Sequence, residues 1–320
     1  MSRIVFGILV CGVEPFFPYV LRNVYASANK IVVLEGYGHD YWEESDSTWI
    51  RDRIAEFDDK DKKIVYKNIG RVLSYGLHRV SVRDKNILMG TLFDFARSFM
   101  SYGDWFVIMP GDGLLKQETI DYILSTPEEI VWVGFAEDNF VGNFSHTNNS
   151  PDWLVPFWKD VMDRVKRDNG RIYYDRNDNG MVNSMYEERA VRYFEGHTYY
   201  PNFCAVTDIG GSYVYAADSY RNRRVLLPLD HPTIRSSHYR VGTWKYLIRK
   251  ISYHYRRLGE ENAYINDPTY DWIRRMAAGE PLPPSRFENF SEVKNYNHPY
   301  PIQEHPWFGK SIKEIVECCD

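Results

Sequence analysis

An α/β fold with a mainly parallel sheet flanked by helices is what this sequence predicts. Three observations carry the prediction. Apolar runs of strand length alternate with segments whose apolar residues recur at helical spacing. The first pair of runs is joined by one helix within about thirty residues, the length of a β-α-β unit. Three of the runs stop at loops that contain an acid: Glu14; Glu35 with Asp40; and Asp112.

The elements follow in order. Residues 3–10 are a short apolar run and read as the first, buried strand, too short to span a membrane and without a signal peptide's cationic lead. The loop Cys11-Gly-Val-Glu-Pro15 follows, and Phe17, Val20, Leu21, Val24 and Ala28 then form one face of a helix. Residues 30–34 are a second strand, closed by Glu35-Gly-Tyr-Gly-His-Asp40. Residues 41–61 are acidic and polar and read as a loop with a short helix, and residues 63–68 as a third strand. Leu88, Leu92, Phe95 and Phe99 mark the next helix, residues 105–109 a strand, and residues 130–135 one more. From 143 to 200 the pattern gives way to Asn, Asp, Arg and Tyr, and long loops are expected there. Residues 225–229 read as a late strand. Trp244, Leu247, Ile248, Ile251, Tyr255 and Leu258 outline an amphipathic helix whose other face carries Lys245, Arg249, Lys250, Arg256 and Arg257. That basic face reads as solvated, with contact to an anionic acceptor or to lipid headgroups as the sharper alternative. Residues 281–285 form a Pro-rich linker, and the tail beyond either packs back or dangles. The division expected is a catalytic-type domain over residues 1–240 and a helical extension with a tail over 241–320.

Composition narrows the classes. A chain of 320 residues with 44% hydrophobic content can bury a sizeable core. The net charge of -5 excludes a whole-chain nucleic-acid signature. The 25 tyrosines and 9 tryptophans supply flat faces with polar edges, which suit a core first and sugar binding second. Cys11, Cys204, Cys318 and Cys319 have no zinc-like spacing and imply no disulfide framework, so a reducing, cytoplasmic location is expected.

The most informative stretch is residues 104–113, Asp-Trp-Phe-Val-Ile-Met-Pro-Gly-Asp-Gly. The run from 105 to 109 stops at Pro110-Gly111, and Asp112 follows. Pro-Gly-Asp-Gly is good turn chemistry. A carboxylate just past the C-terminal end of a buried strand also sits where open α/β sheets bind ligands. Its oxygens suit hard cations such as Mg2+ or Mn2+.

The order of these loops resembles the GT-A glycosyltransferases, in particular the family 2 type with a lipopolysaccharide-core-like C-terminal part. Val10-Cys-Gly-Val-Glu14 stands in the first loop, and the segment from Ile31 to Asp40 in the Asp-rich second loop, with Glu35 for the family's Asp. Lys85-Asn86 stands for the Arg-Asn at a helix head. Asp104-Trp105 opens the strand that ends in Pro110-Gly111-Asp112, where the family has Asp-x-Asp and this chain has Pro for the first Asp. The likeness is fullest over residues 3–140 and continues weakly through 133–142, 192–197 and His238-Tyr-Arg240. It implies a GT-A fold with a C-terminal helical extension, and sugar transfer from a nucleotide-diphosphate sugar to a glycan, lipid-linked glycan or protein hydroxyl. A divalent metal would assist, with inversion expected. Asp112 would hold the cation, with His197 as an extra ligand. Glu14, Glu35, Arg83, Lys85, Asn86 and Gly111 would line the donor site. Asp138 or Glu137 would serve as base, with Glu195 and Asp208 in reserve.

Asp175-Arg-Asn-Asp-Asn-Gly180 imitates the opening of a calcium loop, but its twelfth position is Tyr186, where a bidentate Glu is needed, and it reads as a polar turn. Two rival functions stand. A nucleotidyltransferase would carry a Gly-rich basic loop after strand one, which Cys11-Gly-Val-Glu-Pro15 is not. A non-catalytic carbohydrate-binding or scaffold protein with a decayed site would account for Pro110.

Overall fold

The computed structural model describes residues 3–37, 47–72, 80–130, 132–149, 189–193, 198–200, 205–207, 224–227, 231–256, 265, 267–282 and 289–318. It is a mixed α/β protein. In chain order the first half contains β1 (Ile4–Val10), α1 (Phe17–Tyr25), β2 (Ala28–Tyr37), α2 (Trp49–Ala55), β3 (Ile64–Arg71), α3 (Val80–Ala96), β4 (Trp105–Pro110), β5 (Gly113–Leu115) and α4 (Gln117–Ser125). Then come β6 (Trp132–Gly134), β7 (Ala136–Val141), β8 (His146–Asn149), β9 (Arg189–Arg192), β10 (Thr198–Tyr200), β11 (Ala205–Thr207) and β12 (Arg224–Leu226). The chain closes with β13 (Arg235–Arg240), α5 (Trp244–Arg256), α6 (Pro268–Ala278), β14 (Asn289–Glu292) and α7 (Ile312–Val316).

The main sheet runs β12-β6-β9-β4-β1-β2-β3. β3, β2, β1 and β4 are parallel, as are β6 and β12, while β9 is antiparallel to both β4 and β6. The strand period of two divides the side chains of β1 between two cores. Ile4, Phe6, Ile8 and Val10 pack with Phe17, Val20, Leu21 and Val24 of α1. Val5 faces the other way, with Val32, Leu34, Phe106 and the α3 residues Leu92, Phe93 and Ala96. Helices therefore cover both faces, as the alternating pattern predicts. Each fully buried side chain of this kind stabilises the fold by roughly 1.5–3 kcal/mol.

Three features differ from the sequence expectation, and a fourth decides between two alternatives that the sequence leaves open. Ala28 is not on the α1 face: α1 stops at Tyr25 and Ala28 opens β2, so its apolar character serves a strand. A second sheet, β14-β8-β7-β13-β5, stands beside the first; its strands are short, and two of its five members carry too few apolar residues to announce themselves. The segment after 240 is not helical alone, since β14 pairs with β8 in that second sheet. The tail packs back: Ile302 and Ile315 join the main core, and the His305 ring stacks on Phe16 with centroids 4.7 Å apart. Arg192 ties β9 to its neighbours. Its buried guanidinium donates to the carbonyls of Ile130, Gly103, Thr126 and Pro127 and lies 4.3 Å over the Trp105 ring. Among the described residues no helix is long and apolar enough to cross a membrane.

Candidate active site at the strand ends

In the main sheet β2 and β3 step away from β1 on one side, and β4 lies on the other. The crevice outside the C-terminal ends of β1 and β4 is thus a topological switch point, the place where such sheets bind ligands. Glu14 leaves β1 there, and Asp112 leaves β4. Both are buried, Glu14 at 5% exposure and Asp112 at 2%. The turn between β4 and β5 needs Gly111, because a Cβ on it would lie 2.9 Å from both Glu14 Cγ and Val10 Cγ1. Gly111 is therefore what allows the two acid-bearing loops to approach.

Two cations meet these acids. Lys250 of α5 places its ammonium 2.6 Å from Glu14 Oε2 and 2.9 Å from Asp112 Oδ2. His238 of β13 directs Nε2 to the same Asp112 oxygen at 3.0 Å and Nδ1 to Glu137 Oε1 at 3.1 Å. Tyr246, one turn before Lys250, donates its hydroxyl to Glu14 Oε1 at 2.7 Å. The result is one chain of charge: Tyr246, Glu14, Lys250, Asp112, His238, Glu137. Glu137 Oε2 is buried and has no hydrogen-bond partner among the described residues.

Protonation follows from these contacts. Burial alone would favour neutral His238, but Asp112 and then Glu137 outweigh it and push its pKa up to about 10. Burial opposes the charged form of Asp112 too, yet His238 and Lys250 hold its carboxyl well below the usual carboxylate range. Glu14 is raised, because burial outweighs the attraction of Lys250 and the neighbouring Asp112 adds to it. Lys250 stays charged, with Asp112 and Glu14 overcoming its burial.

The period of two in β7 separates the two acids expected to act together. Glu137 shares a face with His238. Asp138 turns to the opposite face, where Arg235 holds it in a two-pronged ion pair at 2.7 and 2.9 Å and Tyr296 donates to it at 2.6 Å. Tyr296 also meets Ser237 at 2.9 Å. Asp138 is thus fully engaged in joining β7, β13 and the C-terminal tail.

The other residues singled out by sequence fall as follows. Glu35 is not in a loop: β2 runs on to Tyr37, and Glu35 lies within it beside Val10, fully buried and receiving the hydroxyls of Tyr37 and Tyr66 and the Asn68 amide at 3.0 Å. Arg83, Lys85 and Asn86 lie in the first turns of α3, and their side chains fall outside the described residues. His197, Glu195, Asp208, Asp40 and the segment from Asp175 to Tyr186 also lie outside them. The basic face of the helix beginning at Trp244 is not simply solvated: Lys250 turns inward, and Arg249 donates to the Val13 carbonyl. The sequence offers no site role for Tyr246, Arg235 or Tyr296, places Lys250 only on a basic face that would meet water, an anionic acceptor or lipid headgroups, and places His238 only in a family-like segment. The one signal was the basic helix face.

A divalent cation at Asp112 is not well accommodated by this donor set. The facing oxygens of Glu14 and Asp112 already bind an ammonium, and His238 presents a proton rather than a lone pair to Asp112. Among the described residues no group of three His, Cys, Asp or Glu side chains is arranged to hold a metal.

Fold and site together define a mixed α/β protein with a buried charged crevice at a parallel-sheet switch point. No family model and no curated protein matches the chain. Among solved structures, mannose-6-phosphate isomerase from Helicobacter pylori is 13% identical over 47% of this chain and 57% of its own, with a TM-score of 0.28. The galactosyltransferase LgtC in complex with donor and acceptor sugar analogues is 10% identical over 42% of this chain and 46% of its own, with a TM-score of 0.27. This chain thus spans about half the length of those two. A mycobacterial protein is 13% identical over 94% of this chain and 87% of its own, with a TM-score of 0.35. At these scores the similarities carry no functional argument.

Proposed function

We propose that this chain is a glycosyltransferase of the GT-A type, moving a sugar from a nucleotide-diphosphate sugar to a hydroxyl acceptor. One observation carries the reading: Glu14, Asp112, Glu137, His238 and Lys250 converge on the switch point between β1 and β4. Sugar transfer needs a base for the acceptor and positive charge for the leaving group. Glu137 Oε2, buried and without a donor among the described residues, suits the first task. Glu137 takes the proton of the acceptor hydroxyl as the acceptor oxygen bonds to the anomeric carbon, and the bond from this carbon to the diphosphate oxygen breaks, its electron pair leaving with the diphosphate. Lys250 and His238 meet the charge that develops on the diphosphate. An ammonium has three N–H donors, and two of those on Lys250 point at carboxylates, which leaves one direction for a ligand oxygen. Arg83, Lys85 and Asn86 keep the phosphate-side role the resemblance implies, since α3 follows β3 and its head lies toward the same rim.

The test is a thermal-shift screen of UDP, GDP, CMP and dTDP sugars. A nucleotide-sugar at about a hundred times its Kd stabilises the folded state by about 2.7 kcal/mol, a readily seen shift. No response from any of them at millimolar concentration rejects the reading.

A further inference from the structure

Outside the crevice, the Asp138, Arg235 and Tyr296 group ties β7, β13 and the tail together, and the aromatic group around Phe16 and Tyr239 is solid core. The charge chain at the crevice goes further. We infer that Lys250 is a built-in cation that occupies the position between Glu14 and Asp112 and excludes a divalent metal from it. The inference rests on the geometry of the site and holds whether or not the substrate is a nucleotide-sugar.

Three observations support it. The ammonium bonds one oxygen of each carboxylate, at 2.6 and 2.9 Å, which is the bridging place a metal would take between two acids on neighbouring loops. The same Asp112 oxygen takes a second donor, His238 Nε2 at 3.0 Å, so His238 presents N–H where a metal ligand must present a lone pair. The placement of Lys250 is also built rather than loose. Tyr246 is anchored on Glu14 one turn earlier, its ring 5.5 Å from the ammonium, and the neighbouring Arg249 is fixed to the Val13 carbonyl. The helix is therefore held with Lys250 aimed at the acids. A metal would have to expel a like charge from a buried setting before making its own bonds.

Mn2+ alone tests this, with free Mn2+ followed by electron paramagnetic resonance as protein is added. Wild-type protein should leave the free-ion signal unchanged. Lys250→Met should bind one equivalent, and adding Asp112→Asn to it should abolish that binding. Lys250→Gln keeps an amide donor between the carboxylates, guards against loss of fold, and should behave like Lys250→Met. Binding of one equivalent by wild-type protein, lost in Asp112→Asn, overturns the inference. So does failure of both folded Lys250 variants to take up Mn2+, because the ammonium would then not be what keeps the metal out. Neither result depends on nucleotide-sugar binding, so the inference and the proposed function can fail separately.

Discussion

Asp138→Asn separates a structural acid from a catalytic one. From the chain alone, Asp138 is the first candidate for the base and Glu137 the next, and the substitution would cost turnover. In the folded protein Asp138 accepts three hydrogen bonds, two from Arg235 at 2.7 and 2.9 Å and one from Tyr296 at 2.6 Å. The two charged side chains are nearly buried, Arg235 at 12% exposure and Asp138 at 7%. Taken singly, charge-assisted bonds of this kind contribute roughly 1.5–3 kcal/mol each. They share one carboxylate and do not add, and Asn keeps one acceptor oxygen. The better guide is the cost of breaking a buried ion pair, about 3–5 kcal/mol. The lower end applies here, so Asp138→Asn should lose about 3 kcal/mol of stability. Urea unfolding followed by tryptophan fluorescence measures this. Arg235→Met should lose a similar amount, and the double variant should lose clearly less than the sum, with a coupling of about 2 kcal/mol. A variant within about 0.5 kcal/mol of wild type that has nonetheless lost transfer activity would refute the structural assignment and return Asp138 to the mechanism.

Glu137→Gln should lose some stability, because it weakens the buried pair with His238, but should keep nucleotide-sugar binding while turnover falls by roughly 10²–10⁴-fold; unchanged turnover removes Glu137 as base. Gly111→Ala should weaken ligand binding and stability together, since its Cβ would press on Glu14 Cγ and Val10 Cγ1 at 2.9 Å, and a neutral result by calorimetry and melting would mean the loops can part freely. His305 is kept neutral by burial, with its pKa lowered to about 4 from 6.5. The unfolded chain therefore binds the extra proton first as the solution is acidified, and stability present above pH 6.5 is lost between about 6.5 and 4, by at most about 3 kcal/mol. His305→Phe should flatten that part of the melting-temperature profile between pH 7 and 4.5, and an unchanged slope contradicts the argument.

The parallel half of the main sheet, the helices on both its faces, and the loops that bring Glu14 and Asp112 to one rim are legible in the amino-acid chain. They are legible because they are local. A run such as residues 4–10 is apolar on both faces, which only a central strand tolerates, and the residue after a strand's end is fixed by chain continuity. The second sheet was hidden because strands such as His146–Asn149 and Asn289–Glu292 have neither the length nor the alternation to declare themselves. The partners of the acids were hidden for a different reason. Lys250 meets Asp112 across 138 residues of chain, and Tyr246 meets Glu14 across 232. No spacing rule spans such intervals. Whether a lysine on a basic helix face points to water or to a buried carboxylate depends on where the helix docks. Likewise the adjacent acids Glu137 and Asp138 are chemically alike in the sequence. The pleat of one strand sends the first toward His238 and the second toward Arg235, and only the packing of both sheets decides which face looks into the crevice.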